Sequence, residues 1–167
     1  MMNNVHIDKA VAEKAYKEKS AAEFIDFVTD SYIDQLGGGL TAGNMAMLNT
    51  DQHTLLAYRY LKDEVMEGGF IQLIVNGYAG YVLEGPFALV LKKEWGLRDL
   101  SKLIFEAKKE YHLNREKLEA DMNDEEFMAI YEELEKLNDL GDDFLDEHQE
   151  KTTPAIAKYV MENIEKF

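Results

Sequence analysis

The sequence contains no cysteine among its 167 residues, and this absence excludes several classes of protein. Without thiols the chain cannot form a disulfide framework, a zinc–thiolate site, an iron–sulfur cluster or a cysteine nucleophile. Basic residues are also few, with 18 Lys and Arg against 33 Asp and Glu, which gives a formal net charge of −15 at pH 7. Because binding to nucleic-acid phosphates and to anionic lipid depends on Lys and Arg, we expect neither direct nucleic-acid binding nor membrane docking.

A long apolar run is missing as well. No stretch without charge exceeds 16 residues, and the one at residues 68–83 includes four glycines, Gln72 and Asn76. A membrane span needs about 20 mostly apolar residues, and the polar first 16 residues lack the apolar segment of a signal peptide. We therefore expect a cytoplasmic protein, and its 46% hydrophobic residues are sufficient for a buried core.

Helix start signals occur along most of the chain, and apolar residues follow them at helical spacing. Residues 20–23 have the sequence of a capping box. Asp99 is a candidate N-cap for a second helix. Thr153–Pro154 is typical of the start of the last helix, because proline suits the first helical position.

Strand signals are confined to residues 87–91, which a buried helix explains equally well. The sequence therefore predicts an all-α fold, organised as a compact multi-helix single domain. Residues 1–40 are expected to form an N-terminal helical lead-in, and residues 48–167 the main helical domain.

Negative charge is concentrated in one part of the chain. Residues 119–150 contain 14 carboxylates and a single basic residue, Lys136. When residues 124–137 are plotted at 100° per residue, the carboxylates occupy one arc and the apolar residues another. This separation predicts an ordered amphipathic helix and not a flexible acidic tail.

Residues 138–141 are predicted to end that helix, after which residues 142–147 place two apolar anchors, Phe144 and Leu145, among further acids. Two interpretations of the acidic residues stay open, a solvated face that keeps the protein soluble and a surface for a basic protein partner. Under the second interpretation, the candidate partner-binding residues are Asp124, Glu125, Glu126, Glu132, Glu133, Glu135, Asp139, Asp142, Asp143, Asp146 and Glu147.

The most distinctive motif is residues 64–76, with the sequence EVMEGGFIQLIVN. Its paired glycines allow one helix to end and the next to begin through a tight turn. Glu64, Gln72 and Asn76 are expected to satisfy the backbone groups exposed at this corner. A catalytic role for Glu64 or Glu67 as a general base is the alternative, but a structural corner is favoured.

This motif resembles the pattern E-V-N-N-G-G-F-x-Q-F-x-x-N of the DNA-mimic protein family, a group of small acidic bacterial proteins. The resemblance extends from about Leu48 to Phe167, and Met66–Glu67 replace the Asn-Asn pair of the pattern. It implies an all-helical fold and, as in the founding case, a homodimer whose carboxylates imitate DNA phosphates for a repressor. The matching residues are Glu64, Gly68, Gly69, Phe70, Gln72 and Asn76.

Together, the residues and the resemblance predict an acidic binding protein that acts in transcription regulation. Its carboxylate-rich face would occupy the basic surface of a DNA-binding protein. The alternatives are an immunity-type antitoxin that blocks a basic nuclease and a protein with a merely solvated acidic face. No enzymatic activity, metal or organic cofactor is expected, because no set of potential ligands has a workable spacing.

Overall fold

The computed structural model describes residues 5–167, and all regular secondary structure within that range is helical. Helical residues make up 79% of the described part, which contains no strand. The all-α, multi-helix prediction is therefore confirmed. The helices are α1 (Lys9–Glu18), α2 (Ala21–Leu36), α3 (Thr50–Val75), α4 (Ala79–Val82), α5 (Phe87–Lys93), α6 (Arg98–Leu113), α7 (Arg115–Glu119), α8 (Asp124–Glu133), α9 (Glu135–Asp143) and α10 (Gln149–Glu162).

Local sequence signals account for two of these helices. At the start of α2, the Ser20 hydroxyl accepts a hydrogen bond from the Glu23 N–H at 3.2 Å, and the Glu23 carboxylate accepts one from the Ser20 N–H at 3.1 Å. The predicted capping box is thus confirmed. The apolar run 87–91 lies in the short helix α5, whose inward side chains are buried.

Two predicted helix starts are wrong. Helix α6 begins at Arg98, with Leu97 at the N-cap position. Asp99 therefore lies in the first turn, where its negative charge interacts favourably with the helix dipole. Helix α10 contains Pro154 in its interior, because a π-helical turn, Phe144–His148, carries the backbone on from α9 into α10. Pro154 lacks a backbone N–H, so it donates no hydrogen bond to the preceding turn.

The predicted helix end at residues 138–141 is also wrong. The break lies at Leu134, whose φ of −100° and ψ of 59° separate α8 from α9. Helix α9 then runs through residues 138–141. Gly141 lies beside the glycine motif, since a Cβ atom there would be in van der Waals contact with the Cα atom of Gly69, at 3.6 Å. The glycine therefore lies inside α9 and does not end the helix.

The chain divides into two compact units, residues 1–59 with Lys151–Phe167, and Tyr60–Glu150. In the first unit, the backbone oxygen of Phe167 accepts hydrogen bonds from the Ile7 N–H and the Tyr32 hydroxyl, both at 3.0 Å. In the second, α5 packs on α6, and α6 on α9. The limits predicted from the sequence, 1–40 and 48–167, stay a prediction.

No single helix in the described range is both long and apolar enough to cross a membrane. Among the described helices, one pair has the required length and hydropathy when taken together, α3 with residues 79–93, and the two members are bent by 98°.

Candidate protein-interaction site

The glycine motif forms the corner that the sequence predicted. Helix α3 departs from helical geometry at Gly69, where φ is 76° and ψ is −173°. This conformation is essentially restricted to glycine, because a Cβ atom would clash with the neighbouring backbone. The chain therefore turns within α3, and Phe70 on the far side of the turn is fully buried.

A carboxylate clamp fixes this corner. The side-chain amides of Gln72 and Asn76 each donate a hydrogen bond of 2.9 Å to a different oxygen of Glu64. These hydrogen bonds join the three side chains to one another. They do not engage exposed backbone groups, which is the role predicted from the sequence. A Cβ atom on Gly68 would lie 2.0 Å from the Gln72 side-chain oxygen, so glycine at this position leaves room for the clamp. Since both oxygens of Glu64 are engaged, a structural role accounts for the motif.

Helices α8 and α9 both contact the corner. The Tyr131 hydroxyl on α8 donates a hydrogen bond of 2.7 Å to the carbonyl oxygen of Gly68, and Gly141 on α9 packs against Gly69. Burial raises the pKa of Tyr131, which keeps its hydroxyl protonated as a donor. The motif thus positions the two helices that carry most of the candidate carboxylates.

We predict that Tyr131→Phe destabilises the protein by about 0.5–1.5 kcal/mol, since the Gly68 carbonyl loses its side-chain donor. Urea unfolding measures this loss. Tyr16→Phe is the control, because the exposed Tyr16 hydroxyl makes no hydrogen bond with any described residue. Equal stabilities of the two variants would contradict a bracing role for Tyr131.

The carboxylates at the ends of α8 have partners or roles within the protein. Asp124, Glu125 and Glu126 lie in the first turn, where negative charge is favourable to the helix dipole. Glu126 completes a capping box with Asn123. Near the other end, Glu133 forms a 2.8 Å ion pair with Lys117. Part of the predicted set is therefore explained by helix stability.

A second group of carboxylates follows one side of a continuous helical stretch, residues 135–150, which comprises α9, the π turn and the start of α10. At 100° per residue these carboxylates fall within an arc of roughly 140°. The opposite side bears Leu137, Leu140 and Phe144, which are buried. We call the carboxylates the acidic ridge, consisting of Glu135, Asp139, Asp142, Asp143, Asp146, Glu147 and Glu150.

Every carboxylate of the acidic ridge is exposed, and none forms a hydrogen bond or ion pair with a residue of the range 5–167. Asp124, Glu125 and Glu132 are likewise exposed. Glu126 and Glu133 are exposed too, so all eleven candidate residues are accessible, whereas their role in partner binding stays a prediction. Carboxylates without internal partners are available to cations of another molecule, and their mutual repulsion favours such an encounter.

The spacing of the acidic ridge matches that of one DNA strand. Sixteen helical residues span about 24 Å at a rise of ~1.5 Å per residue. Seven carboxylates over this length give about one charge per 3.4 Å, and a DNA strand has one phosphate per ~3.4 Å of helix axis. A single helical stretch therefore reaches the charge density of one strand along its axis.

Sequence reasoning missed one ridge residue, Glu150, because it placed the start of the last helix at Thr153–Pro154. It also assigned Leu145 as a core anchor, but this side chain is 36% exposed, and only Phe144 of the pair is buried. Within residues 5–167 no group of three or more His, Asp or Glu side chains is arranged to hold a metal ion.

Comparison with known proteins identifies the family. A family model described as DMP19-like protein matches residues 46–163. DNA mimic protein DMP19 of Neisseria meningitidis serogroup B (strain ATCC BAA-335 / MC58) is 31% identical over 126 residues, which cover 74% of each chain. Residues 46–163, which the family model matches, contain both the glycine corner and the acidic ridge. The chain therefore belongs to the DMP19-like protein family.

Proposed function

We propose that this protein is a DNA mimic whose acidic ridge occupies the basic, DNA-binding surface of a protein partner. The observation that carries the proposal is the row of seven exposed carboxylates without internal partners, at about the charge spacing of a DNA strand. Membership of the family and the description of its Neisseria relative as a DNA mimic protein support it.

The chemistry of the acidic ridge fits a binding role without catalysis or cofactor. Carboxylates meet the Lys and Arg side chains that otherwise contact DNA phosphates, as charge-assisted hydrogen bonds and ion pairs. Such a surface steers association from a distance, and the attraction is screened beyond ~8–10 Å at physiological ionic strength. The complex should therefore form quickly at low salt and weaken as salt is added. As the resemblance implies, we also propose that the protein acts as a homodimer.

Removing four ridge charges should reduce partner binding and leave the fold intact. In the ridge variant Asp139→Asn, Asp142→Asn, Asp146→Asn and Glu147→Gln are combined. We expect partner affinity to fall between ~4-fold and ~900-fold, from four contacts worth about 0.2–1 kcal/mol each, and its salt dependence to weaken. The free energy of unfolding should stay the same or rise, because like charges are removed. Capture from the native lysate followed by titration of the purified partner measures both effects.

A matched control removes the same number of charges elsewhere. It combines Glu18→Gln, Asp34→Asn, Glu162→Gln and Glu165→Gln, all of them exposed residues of the first unit. The proposal requires that this variant keep partner binding and that duplex DNA displace the partner from the wild-type protein. Equal losses in the two variants would show that net charge alone is responsible. A captured nuclease whose DNA cleavage is blocked would favour the immunity-type antitoxin.

A further inference from the structure

A groove lies beside the glycine corner in the second unit, where Met66, Gly68 and Gly69 face helices α8 and α9. Its volume is about 470 Å³, and its walls include Met66, Met128 and Leu145. Gly69 has no side chain and open space at its Cβ position, so it does not fill the groove on that side. This volume lies within the range of ~300–1,000 Å³ that is typical of ligand sites.

The walls of the groove are apolar and accessible. Met66 is 48% exposed and Met128 63% exposed, which is unusual for two large apolar side chains lining the same groove. Methionine side chains are flexible and polarizable, and they adapt to the shapes of different apolar partners. This groove, which we call the methionine groove, is lined by Met66, Tyr131, Met128, Leu145 and the backbone of Gly68 and Gly69.

The polar amides and hydroxyl in the methionine groove are already engaged. Gln72 donates to Glu64, the Tyr131 hydroxyl to Gly68, and the Asn138 amide to the backbone oxygen of Tyr131. These internal bonds engage the Tyr131 hydroxyl proton and one N–H of each amide, while Met66, Met128 and Leu145 provide apolar wall surface. Burial of an apolar group is the interaction that such a surface favours.

The rim of the groove is negatively charged. Glu67 and Asp142 line it and are exposed, and neither makes a hydrogen bond or ion pair with any residue of the described range. None of the residues that line the groove is Lys, Arg or His. An anionic ligand would therefore be repelled. A ligand with a cationic group next to an apolar one would be attracted by the rim carboxylates and would bury its apolar group in the groove.

We propose that the methionine groove receives a bulky apolar side chain from a basic segment of the partner protein, whose Lys or Arg side chains meet Glu67 and Asp142. This inference rests on the proposed function and extends it from charge to sequence preference. The acidic ridge attracts any basic surface, and the groove selects partners that carry an apolar anchor among their basic residues. Asp142 belongs to both surfaces, so a single segment can engage them together.

Three synthetic twelve-residue peptides test the proposal against the full chain. The first contains Lys and Arg around one Trp and one Leu, the second replaces these two residues with Ala, and the third keeps Trp and Leu but replaces every Lys and Arg with Glu. Methionine methyl groups labelled with ¹³C report on the groove directly by NMR. We expect the first peptide to shift the Met66 and Met128 methyl signals saturably and to bind at least tenfold more tightly than the second.

Variants separate the groove from the ridge. Met66→Gln combined with Met128→Gln, both at exposed helical positions, should lower the affinity of the Trp/Leu peptide to that of the Ala peptide. The affinity of the Ala peptide should not change. Met45→Gln, an exposed methionine of the first unit, is the control and should alter neither. The ridge variant should weaken both basic peptides.

The outcomes distinguish this inference from the proposed function. If both basic peptides bind equally and the methyl signals do not move, the groove is not a docking site. The proposed function of the acidic ridge does not depend on this result, because the partner assay with the ridge variant tests it separately. Equal shifts with the acidic peptide would overturn the charge preference. Shifts that grow with protein concentration alone would assign the groove to contacts between copies of the chain. Failure of all three peptides to bind at millimolar concentration would overturn the inference.

Discussion

Phe144→Ala should lower the free energy of unfolding by about 3–5 kcal/mol, the typical cost of removing a buried phenylalanine side chain. Phe144 is fully buried in the π turn between α9 and α10, in the middle of the acidic ridge. For a chain of this size, each kcal/mol corresponds to roughly 2–4 °C in Tm, so we expect a loss of about 6–20 °C. Urea and thermal unfolding measure the change.

Leu145→Ala is the matched control, because the neighbouring side chain is 36% exposed whereas Phe144 is fully buried. Its cost should stay below about 1 kcal/mol. Because Phe144→Ala removes no charge, it also tests whether the acidic ridge must be ordered to bind the partner. Partner affinity should fall as the stretch 135–150 loses its packing. A Tm within 2 °C of the wild-type value would show that Phe144 does not anchor the ridge.

Local signals predict those parts of the fold in which short-range physics decides the structure. The capping box at Ser20 and Glu23 forms as expected because its two hydrogen bonds join residues three apart. The corner at Gly69 was predictable for the same reason, since only glycine adopts its conformation readily. The separation of acidic from apolar residues along the helix also predicts an ordered acidic region, because this pattern is local and does not depend on tertiary contacts.

Signals whose meaning depends on tertiary packing were misread. Gly141 looks like a helix end in the sequence, but it lies within α9 and next to Gly69, 72 positions earlier in the chain. Pro154 looks like a helix start, but the backbone is already helical before it. In each case, a contact distant in sequence or the preceding turn overrides the local preference.

The same limit applies to the candidate site. The sequence identified most of the acidic residues, but it divided them between two segments separated by a break at residues 138–141. The structure joins Glu135 to Glu150 in one helical stretch, because the buried Phe144 keeps the π turn on the core. The charge spacing that resembles a DNA strand is a consequence of this continuity. It could not be derived from the acid count alone.

Gly69→Ala tests whether the corner holds the two acid-bearing helices in place. With φ of 76° and ψ of −173°, alanine at this position should cost about 1–3 kcal/mol through strain with the adjacent backbone, even though no atom of a residue distant in sequence lies within 4 Å of the added Cβ. Urea unfolding measures this loss. Gly80→Ala is the control: Gly80 is exposed, lies in α4 without positive φ, and has open space around its Cβ position, so this change should be neutral or stabilising by up to ~1 kcal/mol. If Gly69→Ala were as stable as Gly80→Ala, the backbone at the corner would not require glycine, and another feature would have to position α8 and α9.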